Sequence, residues 1–193
     1  MKWLAGLALI FSTMLAAGYA AQEATEVDMT KAVPKVEKAD IIKPDGAGEK
    51  VLYSFESGTQ GWWTFKENAT INLSNARGEG IGKSEGALKI THSLEKPAGY
   101  LGAGVEPKYV MGKETWGKYA DGHFSICMKN DILAPVRIEL RVKDSGSYVL
   151  SVKAATEWTR YDIPFNKFTS KGQGLDLGTG TVNQIVIIPA AKK

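Results

Sequence analysis

The stretch FESGTQGWWTF, residues 55–65, decides the fold, because it follows a strand pattern, turns at glycine and then sets two tryptophans side by side. Neighbouring side chains of an extended strand point to opposite faces. If Trp62 and Trp63 both lie in extended backbone, at most one of them enters a given core. The other then lies on an opposite face, where a flat ligand such as a sugar ring could stack on it.

Period-two alternation continues along the chain. In 136–144, apolar residues alternate with Arg137, Glu139, Arg141 and Lys143, and KDSGSY (143–148) predicts a hairpin turn at Gly146. Such short segments, without a long amphipathic helix, predict an all-β fold. Eight or nine strands in 143 residues exceed an immunoglobulin-type count, so we predict a two-sheet jelly-roll sandwich. The segments are 51–56, 69–74, 86–92, 121–131, 136–144, 147–154, 157–165 and 183–190.

The first 50 residues lack this pattern. Residues 1–20 combine Lys2, an apolar run and small residues at the end, which is typical of a secretory signal peptide; an uncleaved membrane anchor is the alternative. Residues 21–50 contain five Lys, seven acidic residues and no aromatic residue, which predicts a flexible charged linker. We therefore expect an exported protein, periplasmic or extracellular, with its β domain at 51–193.

The net charge and the cysteine content of residues 51–193 limit the functions and the cross-links that the domain can have. Residues 51–193 hold 18 Lys plus Arg against 14 acidic residues, an excess of four that is too mild to favour nucleic-acid binding. Cys127 is the single cysteine, so no internal disulfide forms, and its place in an alternating segment predicts a small strand residue.

Catalytic motifs are not evident in the sequence. His92 and His123 are the only histidines, and neither has a metal-ligand spacing. The glycine-rich run 78–86 is not a phosphate loop, since a strand pattern follows it where a helix is needed. A glycoside-active enzyme would require two carboxylates about 5–10 Å apart, and Glu139 with Asp121 or Asp144 is the pair to examine. A non-catalytic protein is favoured.

Three stretches together resemble a known group of domains: FESGTQGWW (55–63), SEGALKIT (84–91) and YVLSVKAATEWTRYDIPFNKF (148–168). They are similar to galactose-binding-like jelly rolls, above all to carbohydrate-binding modules of the family 11 type and to the related complex I intermediate-associated protein family. The resemblance covers roughly 51–190. It implies that Trp62 packs under one end of the sandwich and that Trp63 faces the other way.

The resemblance also implies a structural calcium near the first strand. Glu56 matches the carboxylate position, Glu85 lies in the loop that supplies carbonyls, and Asn183 stands where relatives often have an acidic residue. Calcium takes six to eight oxygen ligands, so most would have to come from the backbone. The alternative is that Glu56 accepts hydrogen bonds from turn amides.

A sugar site on such a domain combines aromatic rings with polar side chains that reach hydroxyls. The candidate rings are Trp63, Tyr100, Trp116 and Tyr119, and the candidate polar residues are Arg137, Glu139 and Arg141. Packing of each ring in the core, and a solvated row of weak ion pairs, are the alternatives. The stretch 98–122 is dense in aromatics and glycine, which is typical of binding loops.

These observations predict an exported, non-catalytic carbohydrate-binding protein whose partner is a glycan or cell-envelope polysaccharide. The alternative is an assembly domain of the intermediate-associated kind that binds another exported protein through the same face. Two or more coplanar rings would favour a sugar, and a broad apolar patch would favour a protein.

Overall fold

The computed structural model describes residues 52–80, 85–107, 111, 115–178 and 180–190; the predicted signal peptide and linker lie outside them. The described chain is almost all β, with two short 3-10 turns at Trp116–Tyr119 and Phe165–Lys167. Within these ranges, no helix is long and apolar enough to cross a membrane. The strands are β1 Trp63–Glu67, β2 Ala69–Arg77, β3 Gly86–Leu94, β4 Tyr100–Val105, β5 His123–Met128, β6 Ala134–Val142, β7 Gly146–Ala154, β8 Thr159–Pro164, β9 Thr169–Ser170, β10 Gln173–Gly174 and β11 Val182–Pro189.

One large antiparallel sheet forms the first layer. Its seven strands lie in the order β1-β4-β11-β6-β7-β9-β10. The β6–β7 hairpin closes where Val142 pairs with Gly146. Gly146 has φ 94° and Asp144 has φ 61°, so this turn uses the left-handed conformation that glycine and aspartate tolerate best. The hairpin predicted from KDSGSY is confirmed.

Two antiparallel ribbons, β2–β3 and β5–β8, form the second layer. One face of the large sheet packs against them through alternate residues such as Ile138, Leu150 and Ile185. From the ribbons, Phe124 and Ile163 enter the same core, and Phe124 meets Phe168 edge-on with 5.8 Å between ring centroids. Burial of these apolar side chains from both layers is the main stabilising term. The predicted two-sheet sandwich is confirmed.

The segment 51–56, predicted as the first strand, is not a strand over its described residues 52–56. Phe55 has φ 59°, its N–H donates to Gln60 Oε1 at 2.9 Å, and its carbonyl accepts from the Asn75 amide. These bonds to side chains replace the ladder of a strand. Conversely, the stretch 98–122, predicted to be irregular, contains β4, whose residues 101–105 are buried in the middle of the large sheet.

Candidate functional site

The large sheet has a second face that points away from the core; we call it the outer face. Strand pairing sets one row of residues across it, because directly opposed residues of antiparallel neighbours share a face. The row runs through Trp63, Gly104, Val186, Glu139 and Val149, contributed by β1, β4, β11, β6 and β7. This single register therefore places Trp63 and the charged cluster on one sheet face, on which Val186, Glu139 and Val149 are themselves buried.

The aromatic part of the outer face lies over β4, where two glycines leave room for rings. A Cβ at Gly104 would lie 2.8 Å from Trp63 Cζ2, and one at Gly102 would lie 2.4 Å from Phe65 Cζ. Both rings thus rest directly on the backbone of β4, in places that any larger residue would fill. The absence of side chains at these two positions lets both rings contact the backbone of β4.

Three rings follow one another along this edge. Trp63 and Phe65 have centroids 5.8 Å apart with planes at 52°, and Phe65 and Tyr100 are 6.3 Å apart at 41°. Trp63 and Tyr100 are 37% and 38% exposed, while Phe65 between them is half-buried. Burial, and then the hydrogen bond with Glu67, raise the pKa of Tyr100, so its hydroxyl stays protonated at neutral pH. The rings form a continuous strip but are tilted, so these three do not supply the coplanar rings that would favour a sugar over a protein partner.

The charged part of the outer face is centred on Glu139 of β6. Its Oε1 lies 2.9 Å from Arg137 Nη2, and its Oε2 lies 3.4 Å from Arg141 Nε. Arg141 also donates from Nη1 to Gln184 Oε1 at 3.1 Å. The Glu139 side chain is 2% exposed, whereas those of Arg137 and Arg141 are 19% and 25% exposed. A buried carboxylate thus lies between two guanidinium groups, with hydrogen bonds from Arg141 to Oε2 and an ion-pair contact from Arg137 to Oε1.

The four predicted ring platforms divide into two pairs. Trp63 and Tyr100 lie on the outer face, as a platform requires. Trp116 is 6% exposed and Tyr119 is partly buried, and both pack against the core between the layers. The burial of Trp116, in a 3-10 turn, does not suit an exposed platform, whereas the role of Tyr119 stays a prediction.

The paired tryptophans face opposite ways, as the alternation predicts. Trp62 packs against the core, with its ring 5.8 Å from that of Tyr53 and 6.2 Å from that of Phe55. Burial raises the pKa of Tyr53 to about 12, in keeping with the apolar surroundings. Trp63 remains on the outer face, where Phe65 follows it two residues later. Phe65 was not among the predicted site residues, although the same period of two places it beside Trp63.

The hydrogen bond of Glu56 matches the alternative to the calcium site, in which Glu56 accepts from turn amides, and the calcium itself stays a prediction. Glu56 Oε1 accepts from the Glu85 N–H at 3.2 Å, and the carbonyls of Phe55 and Gly58 accept from the Asn75 amide. One lone pair of each of these carbonyl oxygens is therefore used by the Asn75 amide. In the described part of the chain, no group of three or more His, Cys, Asp and Glu could hold a metal ion. Asn183 is an exposed residue near the start of β11.

Glu139 and Asp144, one of the two carboxylate pairs considered for glycoside hydrolysis, lie too far apart along the chain to act together. Both Glu139 oxygens face guanidinium groups. Asp144 lies in the turn after β6, and five residues of extended chain span roughly 16 Å, beyond the 5–10 Å that hydrolysis needs. Asp121 lies in the turn before β5, in the other layer. Glu139 therefore acts as a counter-ion for the two arginines.

The outer side of the β5–β8 ribbon carries a second polar cluster. Asp162 accepts from Ser125 Oγ and from Arg160 Nε, the latter at 2.8 Å. Although burial raises the pKa of Asp162, these hydrogen bonds and the Arg160 charge outweigh it and hold the pKa below its usual value. Burial raises the pKa of the neighbouring Cys127 thiol to about 11. The cluster joins the two strands of the ribbon, and Cys127 is the small strand residue that the sequence predicts.

The fold is similar to that of a solved structure, the Family 11 Carbohydrate-Binding Module of cellulosomal cellulase Lic26A-Cel5E of Clostridium thermocellum. The TM-score is 0.57 at 19% sequence identity, over 76% of this chain and 87% of that chain. No family model matches the chain, and no curated protein matches its sequence. The chain thus has the β-sandwich fold of a carbohydrate-binding module. The resemblance to the complex I intermediate-associated family has no counterpart in these comparisons and stays a prediction.

Proposed function

We propose that this chain is a non-catalytic carbohydrate-binding protein and that its outer face binds the glycan. The observation that carries the proposal is the row in which Trp63 and the Arg137–Glu139–Arg141 cluster share one sheet face. The likeness to a carbohydrate-binding module supports the same conclusion at the level of fold.

The mechanism combines stacking with fixed hydrogen-bond donors. A pyranose ring lies against the exposed Trp63 indole, and Tyr100 extends the aromatic strip along the sheet edge. Arg137 and Arg141 donate to hydroxyl oxygens further along the same row. Because Glu139 holds both guanidinium groups in place, little side-chain entropy is lost when the glycan binds. We further propose that the protein is exported by its N-terminal segment and meets its glycan outside the cytoplasm.

The experiment is a glycan-array screen of the full chain, with Trp63→Ala beside a matched control, Trp158→Ala. Trp158 lies in the loop before β8, where Lys129 Nζ lies 5.3 Å from its ring centroid. We expect binding to one glycan class, lost in Trp63→Ala and kept in Trp158→Ala, with both variants folded by circular dichroism. A folded protein that binds no glycan would refute the proposal and favour a protein partner on the same face.

A further inference from the structure

We infer that the glycan contains an amino sugar, and that its protonated amino group binds Glu67 at one end of the aromatic strip formed by Trp63, Phe65 and Tyr100. This inference rests on the proposed function and names its substrate class. It follows from the charge and the rings that the edge of the large sheet presents on the outer face.

Glu67 is the one charged residue among the outward side chains of β1, β4 and β11. These outward residues are Trp63, Phe65 and Glu67 on β1, Gly104, Gly102 and Tyr100 on β4, and Gln184, Val186 and Ile188 on β11. Lys66 lies on the opposite side of β1, because side chains alternate along a strand. On the outer face of these three strands, a ligand therefore meets a fixed negative charge and no fixed positive charge.

The Glu67 side chain is exposed, and Tyr100 orients its carboxylate. The two residues are directly opposed in the β1–β4 pair, and the Tyr100 hydroxyl donates a hydrogen bond to the carboxylate. This bond and the charge of Glu67 add to the burial that raises the pKa of Tyr100, so the hydroxyl keeps its proton and stays a donor. A carboxylate has about four acceptor sites, so the bond from Tyr100 leaves room for an ammonium group.

The rings of the aromatic strip favour a cation as well. The face of an aromatic ring is its negative side, and it attracts an ammonium group. Trp63 and Tyr100 are 37% and 38% exposed, at the two ends of the three rings. From Trp63 to Glu67 the extended chain covers about 13 Å, within the span of a short oligosaccharide. A sugar stacked on Tyr100 therefore brings an amino group within reach of Glu67.

The arginines of β6 lie far from this carboxylate. Three strand spacings, about 14 Å, separate β1 from β6, which exceeds the Debye length of about 8 Å at physiological ionic strength. Arg137 and Arg141 therefore oppose an ammonium group at Glu67 only weakly, whatever other partners they have. One glycan can thus place hydroxyl groups near β6 and its amino group at the Glu67 end of the aromatic strip.

The test compares three hexasaccharides that share a β-1,4 backbone, by titration calorimetry with the full chain. They are the hexamers of glucosamine, N-acetylglucosamine and glucose, which carry an ammonium, an acetamide and a hydroxyl group on the same carbon. We expect the glucosamine hexamer to bind roughly tenfold more tightly than the other two, as one charge-assisted contact is worth. The preference falls as sodium chloride is raised, and it disappears as the pH rises and the ammonium groups lose their protons.

Variants assign the preference to Glu67. Because Glu67→Gln removes the charge and keeps the size of the side chain, we expect it to weaken binding of the glucosamine hexamer roughly tenfold and to leave the glucose hexamer unaffected. Glu157→Gln is the matched control, since it removes an exposed acid in the loop before β8, and it leaves the preference unchanged. Tyr100→Phe keeps the ring and removes the hydroxyl that orients the carboxylate, so it reduces the preference in part.

The outcomes separate this inference from the proposed function. Equal binding of the three hexamers, or tighter binding of a neutral one, with Trp63→Ala abolishing the binding, would overturn the inference and leave the proposed function standing. A preference for the glucosamine hexamer that persists in Glu67→Gln would also overturn it. No binding to any of the three hexamers by the folded chain would overturn both.

Discussion

The Trp63 ring packs directly against the backbone of Gly104. Adding a single methyl group at Gly104 therefore tests whether this contact is needed for glycan binding. Because the added Cβ would lie 2.8 Å from Trp63 Cζ2, the far end of a movable ring, we expect Gly104→Ala to tilt the indole off the sheet. The expected result is a changed tryptophan emission and weaker glycan binding, with little change in the free energy of unfolding. Gly117→Ala is the control, since its nearest atom is 3.7 Å away. Unchanged tryptophan emission and unchanged glycan affinity in Gly104→Ala would contradict a role for the contact between Trp63 and Gly104.

Gly86 differs from Gly104, because the atoms nearest to an added Cβ at Gly86 belong to the main chain. A Cβ there would lie 2.0 Å from the Phe55 carbonyl oxygen, which is also bonded to Asn75. Gly86→Ala must therefore move main chain, and we expect a loss of roughly 1–3 kcal/mol in the free energy of unfolding, measured with urea. If Gly86→Ala and Gly117→Ala have the same free energy of unfolding, the main chain around Phe55 can move without a measurable cost.

For single residues, alternation along the sequence predicted the sheet face on which a side chain lies. It did not predict contacts between residues that are distant in the sequence. The period of two separates Trp62 from Trp63, and extending it by one step also places Phe65. The period of two does not apply to Trp116, because a 3-10 turn does not alternate between two faces. The direction of the Trp116 ring depends instead on the core residues that pack against it. The buried state of Glu139 was equally hidden, since it depends on Arg137 and Arg141 closing over the carboxylate.

The β5–β8 ribbon depends in part on Asp162, which binds Ser125 across the strand pair and Arg160 along its own strand. Because the pKa of Asp162 is lowered in the folded state, its charge stabilises the fold above the unfolded pKa of about 3.9, and that contribution is lost as the pH falls through the folded value. We expect Asp162→Asn to cost roughly 0.2–1 kcal/mol at pH 7, and the difference from wild type to shrink below about pH 4. Urea unfolding at several pH values measures it, with Asp121→Asn as the control. A difference that stays constant down to pH 2 would contradict the assignment.

Cys127 lies in the same ribbon, and its reactivity reports how firmly the ribbon is held. Because burial raises the pKa of the thiol to about 11, little thiolate is present at pH 8 in the folded chain. We expect a disulfide reagent to label the native protein at least tenfold more slowly than the urea-unfolded protein, whose thiol has a pKa of about 8.5. Equal labelling rates would mean that the ribbon opens readily from the sheet core.

Most elements followed from alternation, and two departures from it have different causes. Strands β2, β3, β5 to β8 and β11 all lie in segments with a clear apolar face. Strand β4 was missed because Gly102 and Gly104 replace the outward side chains that would have completed its alternation. The segment 51–56 alternates in sequence, but the Phe55 main chain bonds to the side chains of Gln60, five residues on, and Asn75, twenty residues on, in place of a strand partner.

On the scale of the whole molecule, each layer of the sandwich exposes one face, and the two faces differ. The large sheet carries rings seated on glycines and two arginines held by one buried carboxylate. The second layer carries the Ser125–Asp162–Arg160 cluster, which joins the two strands of its ribbon. A ligand that recognises exposed aromatic rings therefore distinguishes one side of the domain from the other.

Calcium dependence is the last property to test, and it concerns how the segment around Phe55 is joined to the sandwich. The Asn75 amide satisfies the Phe55 and Gly58 carbonyls, so the fold meets these acceptors with a side chain. We expect the thermal unfolding midpoint of the full chain to be the same in millimolar calcium and in excess chelator. Asn75→Asp supplies the contrast, because it removes the donor and sets a carboxylate against two carbonyl oxygens. That variant should lose roughly 1–3 kcal/mol in chelator and regain part of it when calcium is added. A saturable rise of the wild-type midpoint with calcium would contradict this account and restore the ion to the segment that holds Glu56.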